Sequence, residues 1–399
     1  MRLRVVVLVY VALFVAELSW SGVTPLIPSY IDQYDLTDFQ GGLVLSVASF
    51  GILIVSIPAS MMTKLVNPRT MTLASMAVIA ISGFAMWMAP GYWWIIAARL
   101  LFGLGFGILY VSMTAWLDDA AGDKSARVLA LTTSIVGVAA TVAPALTGSV
   151  AHHFGLSAPF VGLAAITTLL FVILLFDRSG TGLKKEPAPP LRDLTRAATA
   201  DPGLSNMLLL TIAAATLWMT ADLLVPLRLD DAGLDVAAIG LTFSISALIF
   251  VGASALTARR AEQWARPRLA GWWTLALAVT TALPTAFSGL PVTLIFLVGA
   301  GITTGVIVAL TYPFGLQAVE RGAVTVAEMS ALANIIWALT GMAGPTVGGA
   351  FAQWAGDQVA FGALALVSAV VGFIVLRGSR SAEPELLQQQ RNPDGNQPK

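Results

Sequence analysis

The sequence predicts an all-α, polytopic membrane protein: twelve transmembrane helices in two pseudo-symmetric six-helix bundles. Three observations carry that expectation. The 399 residues are 57% hydrophobic and only 11% charged, with a mean hydropathy of +0.82, whereas soluble domains run about 25% charged. Apolar segments fall at about 5–29, 40–63, 70–89, 92–116, 128–151, 158–176, 206–228, 237–258, 269–287, 291–315, 329–352 and 358–376. Each approaches the ~20 residues that cross a bilayer as a helix, and helices are the only spanning structure besides a closed barrel that satisfies its backbone in lipid. The charge pattern is the third observation. Of the 22 Lys and Arg, Arg99 falls within a helix and Arg228 at the outer end of the seventh, and the remaining 20 share one side if both termini are cytoplasmic. The opposite loops carry Asp32, Asp35, Asp38, Asp230, Asp231, Asp235 and Asp357. This is the positive-inside pattern, and it predicts a multi-pass protein of the inner or plasma membrane.

The segments divide six and six. Residues 1–177 form the expected N-terminal bundle, 178–205 a polar cytoplasmic linker containing Lys184, Lys185, Pro187, Pro189 and Pro190, 206–378 the C-terminal bundle, and 379–399 a polar, disordered tail. The halves repeat. Pro28 and Pro226, Asp32 and Asp230, Gly42 and Gly240, Ser46 and Ser244, Gly103 and Gly301, and Gly107 and Gly305 keep an offset of 198, while Pro144 with Pro345 and Gly148 with Gly349 keep 201. Parallel six-helix repeats place a substrate path between the halves near the midplane. The Met1-Arg2-Leu3-Arg4 start resembles a signal peptide, but the apolar run continues through Glu17 to Pro28 without a cleavage pattern and is read as the first helix.

Composition excludes several functions. A net charge of zero without a basic patch argues against nucleic-acid binding. Zero cysteines leave no thiolate site, and adjacent His152 and His153, expected in a loop, lack helical metal-ligand spacing. No HExxH or GxSxG motif is present. Neither an enzyme, a metal nor a cofactor is expected, and the partners expected are a small-molecule substrate, protons and the lipid bilayer, with the chain acting as a monomer.

The candidate site is built on buried charge. Arg99, Glu17 and Asp222 lie roughly 10, 18 and 9 Å from the outer boundary at about 1.5 Å rise per residue. An arginine at mid-membrane costs roughly 2.5–3.5 kcal/mol on insertion scales and so demands compensation. Removing a carboxyl from water favours its neutral form and a nearby arginine opposes that, so a proton carrier titrating near physiological pH can result. Glu17, Asp222 and Arg99 are therefore the proton-coupling candidates, with a static Arg99–Glu17 pair as the alternative. Around them Trp20, Phe102, Phe106, Tyr110, Trp218, Asn334 and Trp337 recur at helical spacing and are candidates to bind an amphipathic, cationic substrate. Pro144 and Pro345 bend or loosen their helices. Gly103 and Gly107 are spaced for close helix packing.

On these residues the chain resembles the major facilitator superfamily. Arg99 followed by Gly103, Gly105 and Gly107 looks like that family's motif B, with Phe102 where a glutamine is usual. Ala143-Pro144-Ala145-Leu146-Thr147-Gly148 matches the exporter signature motif C in part, and Gly344-Pro345-Thr346-Val347-Gly348-Gly349 matches it more fully. Ser60, Lys64, Asn67, Pro68 and Arg69 follow motif A, with Lys64 where aspartate is usual and Glu262 at the repeat-related position. Lys64, Arg69 and Glu262 are gating candidates, as a charge-swapped latch or as plain loop charges. The resemblance implies alternating access and points to the drug/proton antiporter branch. A proton-coupled exporter of amphipathic small molecules is expected, with a proton symporter importing a sugar or other metabolite as the alternative.

Overall fold

The computed structural model describes residues 2–62, 65–176 and 200–391. Twelve helices long and apolar enough to span a membrane are present among them. They are α1 (Leu3–Tyr34, interrupted by a 3-10 turn at Thr24–Leu26), α2 (Asp38–Met62), α3 (Pro68–Trp87), α4 (Tyr92–Ala121), α5 (Ser125–Phe154), α6 (Ala158–Phe176), α7 (Pro202–Asp231), α8 (Val236–Ala258), α9 (Pro267–Ala286), α10 (Leu290–Glu320), α11 (Val326–Ala355) and α12 (Asp357–Arg391). No strand occurs among the described residues.

Helix starts follow local chemistry. Asn67 caps α3 through the Arg69 amide, Asp201 caps α7 through Leu204 and Asp235 caps α8 through Ala238, while Thr325 and Glu328 form a capping box on α11. Proline stands in the first turn of α3, α7, α9 and α10, where its missing N–H is harmless. Three boundaries differ from expectation. The linker, expected to reach residue 205, ends at the Asp201 cap, because the cap and Pro202 start α7 earlier than its apolar run does. His152 and His153 lie in the last turn of α5 and not in a loop, since α5 continues to Phe154 before Gly155. The expected disordered tail begins inside α12, which continues to Arg391. Residues 178–199 of the linker and 392–399 of the tail lie outside the described residues.

The packing repeats across the halves. Helix α1 packs on α5 as α7 packs on α11, α2 on α4 as α8 on α10, and α3 on α6 as α9 on α12. Between the halves the principal contacts are α2 with α11 and α5 with α8. Both seams are made of glycine facing a proline carbonyl. A Cβ on Gly42 would run into the carbonyl of Pro345, and one on Gly240 into that of Pro144. Gly349 faces the Asp38 carbonyl, and Gly148 the Val236 carbonyl. Small residues at such points let backbones touch, which is how helices associate without a hydrophobic drive from lipid.

These contacts lie toward the end of the bundle that carries the acidic residues. A hydrophobic cluster there, including Val23, Leu26, Ile27, Val44 and Ile95, takes in Leu223 from α7 and so crosses between halves. Toward the basic end the seams reach Gly341 against Ser49 and Gly137 against Val251. Asn334, two turns before Gly341 on the same α11 face, is exposed, as are Ile54, Leu131 and Leu256. The halves meet most tightly toward the acidic end, where glycines lie against backbone carbonyls, and less tightly at Gly137 and Val251 toward the basic end.

At the basic end, each half ties its first helix to its fourth with one ion pair, and the charges are exchanged. Arg2 pairs with Asp119 at the end of α4, while Asp201 receives two 2.7 Å hydrogen bonds from the Arg321 guanidinium just after α10. The Arg321 hydrogen bonds hold the Asp201 carboxyl below the usual carboxylate range. The folded state thus binds fewer protons there than the unfolded chain, so the stabilisation is full above the ordinary value near pH 4 and is lost as pH falls through the lower folded value.

Two predictions follow from this architecture. Overpacking a seam costs about 1–3 kcal/mol, so in Gly42→Val the closed acidic end opens about fivefold or more. Because the chain has no native cysteine, the maleimide labelling rate of a single Ser46→Cys probe, compared with and without Gly42→Val, measures that shift. For the basic end, acidification below about pH 4 should lower the melting temperature of the wild type more steeply than that of Asp201→Asn, whose melting temperature is already reduced at pH 7.

Candidate functional site

Arg99 sits about a quarter of the way along α4 and is 3% exposed. Its Nε donates to the Val44 carbonyl of α2 at 3.3 Å and its Nη1 to the Ser19 carbonyl of α1 at 3.5 Å. The guanidinium carbon lies 5.0 Å from the Phe102 ring centroid and 6.0 Å from that of Trp20. Among the described residues, no carboxylate comes within ion-pairing distance of it. Backbone carbonyls and aromatic faces, and not Glu17 or Asp222, surround this cation.

The two acids occupy separate positions. Glu17 on α1 is 6% exposed, within electrostatic reach of Tyr110 on α4. Asp222 on α7 is half-buried, one turn from Trp218, whose ring meets Phe250 of α8 edge-on at 4.8 Å. Neither acid has an ion-pair partner among the described residues. The expected three-charge cluster is thus spread over the bundle interior, with α2 contributing only a carbonyl to Arg99.

The aromatic candidates divide by environment. Trp20 packs against Phe102 at 6.3 Å and Phe106 at 5.6 Å, and Phe106 continues to Tyr110 at 6.0 Å, so the α4 face forms one ladder. Phe102 and Phe106 are buried inside the N-terminal core, while Trp20 and Tyr110 keep partial exposure. Trp218 and Trp337 are half-buried, and Asn334 is exposed. The partly accessible members are therefore Trp20, Tyr110, Trp218, Asn334 and Trp337.

Of the gating candidates, Lys64 lies outside the described residues, as does the side chain of Glu262. Arg69 donates from Nη2 to the carbonyls of Leu174 and Leu175, at 2.9 and 3.0 Å. It thereby satisfies the open C-terminal carbonyls of α6. Pro144 and Pro345 both lie inside their helices and present carbonyls to the seams. Directly after Pro144, the Ala145 amide donates to Ser244 Oγ at 3.0 Å across the α5–α8 seam.

Several participants escaped the sequence. Tyr30 is 4% exposed and within electrostatic reach of Arg99, and its hydroxyl has no hydrogen-bond partner among the described residues. Phe250 was hidden among apolar neighbours. Arg228, read as an outer-end charge, pairs with Asp357, donates to the Pro284 carbonyl at 2.6 Å and stands over Phe361 at 4.7 Å. A signal existed for this pair, since opposite charges begin and end the outer termini of α12 and α7.

The comparisons agree with the architecture. The family model for the Major Facilitator Superfamily matches residues 9–341. A protein of Lactococcus lactis subsp. lactis (strain IL1403) described as a multi-drug resistance efflux pump PmrA homolog is 23% identical over 171 residues, which span 42% of each chain. Among solved structures, a bacterial homologue of the human lysosomal transporter Spinster, in an inward-facing and unoccupied conformation, superposes with a TM-score of 0.79 at 13% identity, covering 95% of this chain and 97% of that one. A POT family transporter in complex with a thioalcohol-conjugated peptide gives 0.74 at 15% identity, covering 95% and 96%. With twelve spanning helices, backbone seams between halves and a family match over most of its length, the chain belongs to the Major Facilitator Superfamily and is a membrane transporter, not an enzyme.

Proposed function

We propose that the protein is a proton-coupled exporter of amphipathic, cationic small molecules, with Asp222 as its proton carrier. The observation that carries this reading is the Asp222 carboxyl itself: half-buried within a spanning helix and without a cationic partner among the described residues. An ionisable group in such a position is costly and marks an ion or substrate path. Beside it, Trp218 and Phe250 supply ring faces that attract a cation, and Trp337 and Asn334, three residues apart on one α11 face, keep partial or full exposure. Glu17 beside Tyr110 is the second carboxyl on this route. The kinship with a protein described as a multi-drug efflux pump supports the direction and the substrate class.

In this reading both termini face the cytoplasm of the cell membrane, because the basic residues gather at that end. The tight seams at the acidic end support reading this as the state closed to the outside. Rocking of the six-helix units, α1–α6 and α7–α12, about the substrate path exposes Asp222 to the outside, with Pro144 and Pro345 giving compliance to the seams. A proton enters there, neutralises the carboxyl and releases the cationic substrate, and returning to the cytoplasmic side discharges the proton. Exchanging one proton for one monovalent cation moves no net charge, so the membrane potential does not drive the cycle and the pH gradient does, sustaining about a tenfold substrate gradient per pH unit.

Proteoliposomes with imposed pH gradients of both signs, and a panel of cationic and neutral dyes, test the proposal. The wild type should move cationic dye against an inward proton gradient. Asp222→Asn should lose gradient-driven flux while dye binding, read by tryptophan quenching, remains measurable. Flux driven by the gradient in Asp222→Asn overturns the carrier assignment, and uptake with the proton gradient in the wild type overturns export in favour of symport.

A further inference from the structure

A void lies behind Arg99, away from the seams, between α1, α3, α4 and α6. It is lined by Ser19, Ser82, Arg99, Phe102, Phe160 and Thr167, among others, and has room for roughly one water-sized sphere. No acidic residue lines it. Arg99 brings to it a charge that its surroundings leave uncompensated. A guanidinium offers five N–H donors, and the two bonds it makes, at 3.3 and 3.5 Å, go to neutral carbonyls at or beyond the long end of the usual range. Among the described residues Nη2 has no hydrogen-bond partner. The Phe102 ring at 5.0 Å attracts the guanidinium and the Trp20 ring, at 6.0 Å, only weakly, which offsets part of the cost of burying an unpaired ion.

We infer that this void is a binding site for a small monatomic anion, chloride under ordinary conditions, which serves as the counter-ion of Arg99. Ser19, Ser82 and Thr167 currently donate to the carbonyls of Val15, Ala98 and Leu163. Each hydroxyl can turn its proton toward an anion by a rotation about one bond. A halide is appreciably larger than a water molecule, so the lining side chains must give a little to admit one, whereas phosphate, carboxylates and gluconate are larger still. The site is separate from the proposed proton carrier: Asp222 lies on α7, and the four helices around the void all belong to residues 3–176. Transport driven through Asp222 and anion binding at Arg99 are therefore independently testable.

The purified full-length chain in detergent provides the test, by thermal unfolding in sodium chloride, bromide and gluconate at constant ionic strength. The melting temperature should rise saturably with chloride and with bromide but not with gluconate. Arg99→Gln should abolish the dependence. Ser82→Ala should move half-saturation about tenfold higher, the effect of losing one hydrogen bond to an ion. In crystals grown with bromide, the anomalous peak should stand beside the Arg99 guanidinium. Where Arg99→Gln does not fold, the Ser82→Ala titration and the bromide position decide the matter. A wild-type melting temperature indifferent to halide, a halide dependence retained in Arg99→Gln, or bromide bound only elsewhere overturns the inference. Proton-driven dye flux in chloride-free vesicles reports on Asp222 alone.

Discussion

The structure depends on the touching of helix backbones where glycine meets the carbonyl of a helix-internal proline. Gly42 against Pro345 and Gly240 against Pro144 bring α2 onto α11 and α8 onto α5. Lipid supplies no hydrophobic drive for that association, so close packing and hydrogen bonding must provide it. Such contacts decay over fractions of an ångström, which makes them firm when closed and easily lost when a helix tilts. A seam of this kind suits a protein that must part the same surface repeatedly.

The seams also determine what the charges can do. They run from Gly42 and Gly349 beside Leu223 down to Gly341 against Ser49, so the stretch of α7 that carries Asp222 runs alongside the α2–α11 seam. Arg99 is turned the other way, toward α1 and α2 carbonyls, inside the N-terminal core. A cation and two acids at comparable depth thus need not form one cluster. Depth is set by position along a helix, whereas pairing is set by the direction in which each helix faces.

That distinction explains what the sequence disclosed. Hydropathy, loop charge and the 198-residue register gave twelve helices and two related halves, because each signal is one-dimensional and lies on the chain itself. The helical spacing of Phe102, Phe106 and Tyr110 disclosed a real aromatic ladder, but whether a rung faces core or cavity depends on the neighbouring helix, and Phe102 and Phe106 proved to be core. The partners of Arg99 are backbone carbonyls, which every residue carries and no composition reveals. Ion pairs between termini, such as Asp201 with Arg321, required knowing that the first and fourth helices of a half end side by side.

The repeat that made the fold legible is broken at one atom of each seam. Ser244 and Ser46 are repeat-related, and both are buried where the halves meet. Ser244 accepts the Ala145 amide across the α5–α8 seam, whereas Ser46 Oγ in the α2–α11 seam has no partner among the described residues. A made hydrogen bond contributes about 1 kcal/mol and a buried unmade one costs roughly 1–3 kcal/mol. Similar backbone contacts therefore close two seams of unequal strength. Parting the α2–α11 seam would therefore give up less than parting the α5–α8 seam, so the pseudo-symmetric halves are held together unequally on their two sides.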